Sequence, residues 1–380
     1  LEEKGKYIEP TFSPDGKTVV YRKISGGFIT SPAWSLNTGI YAVSAKGERK
    51  AGKPELITEF GSQAHFGANN ENIYVVRDGD EPQLAYVSLD GKDDRTLYQG
   101  KFATEYRVSP NGEYLAFAER FKVFVTPFVE RGTVINIGPK GNNLPVEQLS
   151  VRAGQGINWH GDSTELYWSL GANLYQASVK KLFAITLDDE SNADNKLDKV
   201  KNKQIVTKTY LGYEQKVDKP SGIIAFVGGK IITMNGDKVI DNGVVLVEGN
   251  VIKGVGTPAQ VSIPASAKII DITGNSIMPG LIDAHAHGPQ GSSEITPQQN
   301  WKNYAGLALG VTSIHDPSND TSEFFAASEM QKAGKIVAAR LFSTGKILYG
   351  ANAAGYTAHV DNLDDAIFHV ERLKAAGAFS

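Results

Sequence analysis

Four stretches of the 380-residue chain share one grammar, and a repeat of this kind limits the fold more than any single motif does. They are PTFSPDGKTVVYRK (10–23), AHFGANNENIYVVRD (64–78), EYRVSPNGEYLAFAE (105–119) and GINWHGDSTELYWSL (156–170). Each sets an aromatic residue or Val before a turn rich in Pro, Asp, Asn and Gly, and an alternating apolar strand after it. Ser13-Pro14-Asp15-Gly16 and Ser109-Pro110-Asn111-Gly112 suit tight hairpins, because Pro presets φ and Gly accepts the positive φ the turn needs. The copies recur at roughly 40–55 residues, the length of one four-stranded propeller blade. Second hairpins such as QLAYVSLDGKDDRTLYQ (83–99) fill the intervals. Residues 1–185 are therefore expected to form a partial β-propeller of about four blades.

The length exceeds the roughly 250–300 residues at which one core stops growing, so further domains are expected. DDESNADNKLDKVKNKQ (188–204) is charged and poor in apolar residues, which marks residues 186–220 as a solvated linker. Net charge is −3, so no basic field exists to hold nucleic acid or an anionic membrane. With no cysteine there is neither a disulfide nor a thiolate, and any metal must sit on nitrogen and oxygen ligands. No apolar run reaches the roughly 18 residues of a membrane span. The chain opens Leu1-Glu2-Glu3-Lys4 without Met or a signal-like segment, and reads as a mature form or a fragment.

Residues 221–277 alternate short β-branched runs with glycine turns, the pattern of a small antiparallel β-sandwich. VVLVEGNVIKGVG (244–256) is a hairpin around Gly249-Asn250. IMPGLIDAHAH (277–287) follows, and a strand period of two would place Leu281, Asp283, His285 and His287 on one face. Two imidazoles on one face can converge on one cation. The period then becomes helical over TPQQNWKNYAGLALG (296–310), with Thr296 as N-cap and Pro297 opening the helix. VTSIHD (311–316), TSEFFAASEMQKAG (321–334), IVAARLFSTG (336–345) and NLDDAIFHVERLKAAG (362–377) continue as strand, helix, strand, helix. Such βα winding predicts the first units of a TIM barrel over 278–380, whose chemistry sits at the C-terminal strand ends.

GNSIMPGLIDAHAH, entered from a glycine-rich sheet and followed by GVTSIHDPS, resembles the start of the amidohydrolase superfamily barrel, most closely its imidazolonepropionase and dipeptidase branch. The resemblance implies a metal-dependent hydrolase of amide or cyclic C–N bonds acting through metal-bound hydroxide. It implies one or two divalent ions of the zinc type, ligated by His285 and His287, with Asp283 as a supporting group. The family's remaining ligands, a carboxylated lysine, two histidines and a proton-handling aspartate, would lie beyond Ser380, so the catalytic residues are expected outside this chain, which alone should not turn over substrate. A small-molecule or peptide-like substrate is implied. His315, at the second strand's end, Asp316, in the first loop residues after it, and His359, in the glycine-rich loop, are candidate substrate contacts. His369 falls in the third helix, at its surface or between helices.

FSPDGK with VVY and then YAVSAKG resembles the propellers of Tol-associated periplasmic proteins and of peptidases. That resemblance implies a periplasmic or secreted location and a protein partner for the propeller. Two other readings stay open: a binding scaffold with a degenerate barrel, and a propeller-bearing serine peptidase. No Gly-x-Ser-x-Gly nucleophile elbow occurs in these residues, which argues against the latter.

Overall fold

A computed structural model describes residues 5–25, 36–45, 53–141, 144–180, 182–183, 206–292, 295–349 and 357–379. The chain divides into two compact units, residues 1–213 with 348–377, and residues 214–347 with 378–380.

The first unit begins with four consecutive sheets. β1 (Lys6–Phe12), β2 (Thr18–Ile24), β3 (Gly39–Ser44) and β4 (Glu55–Thr58) pair antiparallel in chain order. The second sheet holds β5 (Ser62–His65), β6 (Asn72–Arg77), β7 (Gln83–Ser88) and β8 (Asp94–Gln99). The third is built from β9 (Ala103–Val108), β10 (Tyr114–Glu119) and β11 (Lys122–Pro127). Two short returns extend these sheets, β12 (Ile135–Asn136) parallel to β8 and β13 (Glu147–Gln148) antiparallel to β11. The fourth contains β14 (Gln155–Trp159), β15 (Glu165–Leu170), β16 (Asn173–Ser178) and β17 (Val206–Tyr210). Strand β17 lies inside the expected linker, so the fourth sheet takes part of that segment; residues 186–205 of it lie outside the described residues.

The expected turn chemistry is present. Ser13 Oγ donates to Asp15 Oδ1 at 2.7 Å and accepts from Thr18 N, while Gly16 stands at φ 69°. Ser109, Asn111 and Gly112 (φ 72°) repeat the pattern, and so do Ser88, Asp90 and Gly91 (φ 69°). Successive sheets are then tied by side chains to backbone. Glu9 accepts Gln63 N at 2.7 Å, and Glu105 accepts Ile157 N at 2.8 Å, so a carboxylate on a first strand caps the first strand of a later sheet. His65 bridges sheets two and three: Nδ1 lies 2.9 Å from Gln63 O, and Nε2 accepts Val108 N at 2.9 Å. Burial holds this imidazole neutral, with its pKa pushed down to about 3. Between the sheets lie continuous apolar layers, Ile73 and Val75 against Val20 and Ile40, Tyr98 against Tyr106 and Phe117, and Trp168 against Val123 and Val125.

The turn between β10 and β11 departs from glycine chemistry. Arg120 and Phe121, between β10 and β11, both take positive φ (47° and 65°), which is uncommon for bulky residues. Both side chains hold α3 (Leu363–Ala376) and its leader, which belong to the same unit. Arg120 pairs with Asp361 and lies 4.4 Å over the Phe102 ring; Arg372 lies 3.8 Å over the Phe121 ring; and His369 meets Phe121 edge to face. His369 is therefore buried at 1% exposure rather than at a surface or between helices, because the helix docks on a sheet.

In the second unit, β18 (Ile223–Ile232), β19 (Val239–Glu248) and β20 (Val251–Gly256) form an antiparallel meander, joined around Gly249 (φ 60°) and Asn250 as expected. β21 (Lys268–Asp271) and β22 (Ser276–Ile277) pair parallel to β18, giving one mixed five-stranded sheet in place of the antiparallel sandwich. The chain then winds through β23 (Leu281–Asp283), α1 (Trp301–Ala308), β24 (Val311–Asp316), α2 (Thr321–Lys332) and β25 (Arg340–Ser343). The three strands form a parallel sheet ordered β23-β24-β25; no closed barrel is present among the described residues. Helix α1 starts after Asn300, not at Thr296, because Asn300 is extended and its side chain accepts from Lys302 N, while the Gln299 side chain makes two bonds to the Val337 backbone. Arg340–Ser343 is shorter than the expected 336–345.

Two outcomes follow for the first unit. Trp168, 1% exposed and stacked on Tyr175, should cost about 3–5 kcal/mol when changed to Ala, read by denaturant unfolding. Glu119 is buried with an oxygen that has no described hydrogen-bond partner, and desolvation raises its pKa to about 7. A raised carboxyl pKa means that the folded state holds the proton, so stability should fall as pH rises from about 4.5 to 7, by roughly 3 kcal/mol. Glu119→Gln should flatten that limb of the pH-stability curve; an unchanged slope would remove Glu119 as its source.

Candidate metal centre

The site is set by β23 and by where it stops. Its register on β24 pairs Leu281 with Val311, Ile282 with Ser313 and Asp283 with Ile314. The strand ends at Asp283, four residues short of the expected His287, because Asp283 Oδ1 accepts the His285 N–H at 3.1 Å and turns the chain. Strict alternation thus does not carry the two histidines. They come together through the turn instead: the His285 and His287 rings lie 4.9 Å apart, edge to face. Asp283 itself is exposed, and its contact here is that turn.

Beyond the turn, two bonds fasten the segment to β24 and its following loop. Ala286 N donates to His315 O at 2.9 Å, and Asn319 Nδ2 donates to Gly288 O at 2.9 Å. Residues one step either side of His287 are therefore fixed. From the other side, Asn300, the cap of α1, and Asn303 within it donate to Pro289 O and Gln290 Oε1, both at 3.2 Å.

Asp316 is the last residue of β24 and 1% exposed, not a loop residue as expected. Its Oδ1 lies 3.3 Å from His287 Nδ1 and accepts Ser318 N at 2.9 Å; its Oδ2 accepts Asn319 Nδ2 at 2.7 Å. Ser318 Oγ stands 3.4 Å from the same imidazole nitrogen. His315, a residue earlier and half-buried, shares the strand end through its carbonyl. His359 belongs to the first unit, its ring stacked on Phe102 and its Nε2 2.7 Å from Asp361. Ser318 and Asn319 were not singled out from sequence, although the polar run Asp316-Pro317-Ser318-Asn319 at a strand end was a visible signal.

Among the described residues no group of three or more His, Cys, Asp or Glu is placed to hold a metal ion. The donor chemistry nevertheless fits half of one: two adjacent imidazoles, one with its Nδ1 toward a buried carboxylate, leave nitrogen donors for a divalent cation. None of the described helices is long and apolar enough to cross a membrane.

No family model matches the chain. Over 98 residues it is 42% identical to an imidazolonepropionase of Geobacillus sp. (strain WCH70), covering 24% of this chain and 23% of that protein. The chain spans about a quarter of the length of that relative. Among solved structures, a prolidase in complex with N-methylphosphonate-L-proline is similar at 21% identity over 41% of this chain and 45% of that one, with TM-score 0.33. Phenylurea hydrolase B is similar at 28% identity over 33% and 31%, with TM-score 0.27.

The turn makes a local prediction. Asp283→Ala removes the acceptor of the His285 N–H and should raise amide hydrogen exchange across residues 283–287 by about tenfold, while exchange in β18 and β19 stays unchanged.

Proposed function

We propose that residues 281–319 carry half of a divalent-cation centre in a hydrolase of amide or cyclic C–N bonds, with zinc the fitting ion. The observation that carries this reading is the pair of imidazoles 4.9 Å apart at the C-terminal end of a parallel strand. The 42% identity over 98 residues to an imidazolonepropionase agrees with it. His285 and His287 would hold the ion, Asp283 would keep the turn that brings them together, and His315 would face the substrate. When bound, the cation would polarise a scissile carbonyl and acidify water toward a pKa of about 7. A catalytic zinc usually takes three protein ligands, and hydrolysis needs a group that moves a proton. Turnover therefore belongs in this reading to the whole protein in which such groups join the two histidines. His359, engaged by Phe102 and Asp361, belongs to the first unit and carries no part of this reading.

In the same reading the four sheets of the first unit are propeller blades that receive a protein partner, and the protein works in the periplasm or outside the cell. Their face-to-face apolar layers and repeated turns support the reading as blades.

The test is cation binding by the 380-residue chain, measured by competition with a chromophoric chelator for Zn2+ and Co2+. One equivalent should bind, His285→Ala and His287→Ala should each weaken binding at least tenfold, and the double variant should abolish it. Equal binding by the double variant would contradict the assignment.

A further inference from the structure

Burying a carboxylate is expensive unless donors complement it, and Asp316 is the most deeply buried acid among the described residues of the second unit. Ser318 N–H and the Asn319 amide account for part of its acceptor capacity. The remaining direction faces the Nδ1 of His287, whose own ring is largely exposed on its other side. We propose that Asp316 is a positioning residue: it accepts the His287 Nδ1–H, fixes that tautomer and ring orientation, and leaves Nε2 as the nitrogen that meets a cation. This rests on the metal-centre reading for its use, and on the 3.3 Å approach of Asp316 Oδ1 to His287 Nδ1 for its orientation.

A neutral imidazole carries one N–H, and whichever nitrogen bears it cannot ligate. In free solution a ring can exchange between the two forms, so a ligand that must present Nε2 gains from a partner that accepts at Nδ1. The backbone on each side of His287 is fixed by the Ala286 and Asn319 bonds, which leaves the side-chain torsions and the proton's location as the free variables. A carboxylate 3.3 Å from Nδ1, itself held by two neutral donors at 2.9 and 2.7 Å, removes both freedoms. Ser318 Oγ, 3.4 Å from the same nitrogen, is a weaker second acceptor. Nothing comparable is described at the His285 ring nitrogens, so the two ligands differ: His287 is held by a partner, whereas His285 is placed by its turn.

The tautomer is read without metal, from imidazole 15N shifts of histidine-labelled full chain at a pH where the ring is neutral, with His287→Ala used to assign its signals among the seven histidines. In the wild type His287 should be protonated on Nδ1. In Asp316→Asn the one remaining carbonyl oxygen answers Asn319 Nδ2–H at the Oδ2 place and the amide NH2 stands where Oδ1 met His287, so there the Nδ1 preference should disappear; Ser318→Ala should keep it. Zn2+ affinity should fall about 10–100-fold in Asp316→Asn and by less than threefold in Ser318→Ala. A wild-type ring protonated on Nε2, or an Asp316→Asn ring that keeps the Nδ1 proton, overturns the proposal, and the first of these needs no variant to fold. An Nδ1 proton lost in Asp316→Asn, in a wild-type chain that binds no Zn2+, upholds the positioning and removes the metal-centre reading instead.

Discussion

Everything proposed for the second unit depends on the parallel ladder between β23 and β24. Three residue pairs and the Leu281 N–H to Gly310 O bond set the register, and the Ala286 to His315 bond continues it past the turn. Were β23 to slip by one residue, Asp283 would leave its place opposite Ile314, and His287 would leave Asp316. The ladder is short, and Leu281 and Ile282 are exposed on this edge strand, so register is carried by few bonds. Side-chain bonds from Asp283, Asn319, Asn300 and Asn303 supply the rest.

The first unit solves a different problem by repetition. Each sheet alone would leave an apolar face wet, and the layers around Ile73, Phe117 and Trp168 form because the next sheet covers it. Turn bonds of the Ser13 type align each hairpin, and the Glu9, Glu105 and His65 bonds fix one sheet against another. The Arg120-Phe121 turn shows how the pattern yields to a local demand. Glycine or asparagine would suit its positive φ better, yet neither could pair with Asp361 and cover His369.

Local chemistry was what the sequence disclosed well. The Ser-x-Asp/Asn-Gly turns, the Gly249-Asn250 hairpin, the alternation of strand and helix after residue 280, and the stop of α3 at Gly377 (φ 113°) all depend on residues near one another in sequence. Non-local pairing was less visible. The parallel returns of β21 and β22, and the capture of β17 by the fourth sheet, depend on partners more than 25 residues away and leave little mark in their own residues. At the site, the histidine pair was legible from its spacing, but the means of bringing it together was not. A period of two predicted a strand to His287; an aspartate able to bond two residues on competed with the ladder and won at Asp283. Asp316 was noticed as a loop residue, and its burial beside His287 required knowing the register.

The central claim is that His285 and His287 present imidazole nitrogens to one divalent cation. X-ray absorption at the zinc edge of the loaded chain measures this directly. The account predicts two imidazole scatterers at about 2.0–2.1 Å from the ion. A shell made only of oxygen neighbours, with no imidazole contribution, would contradict it.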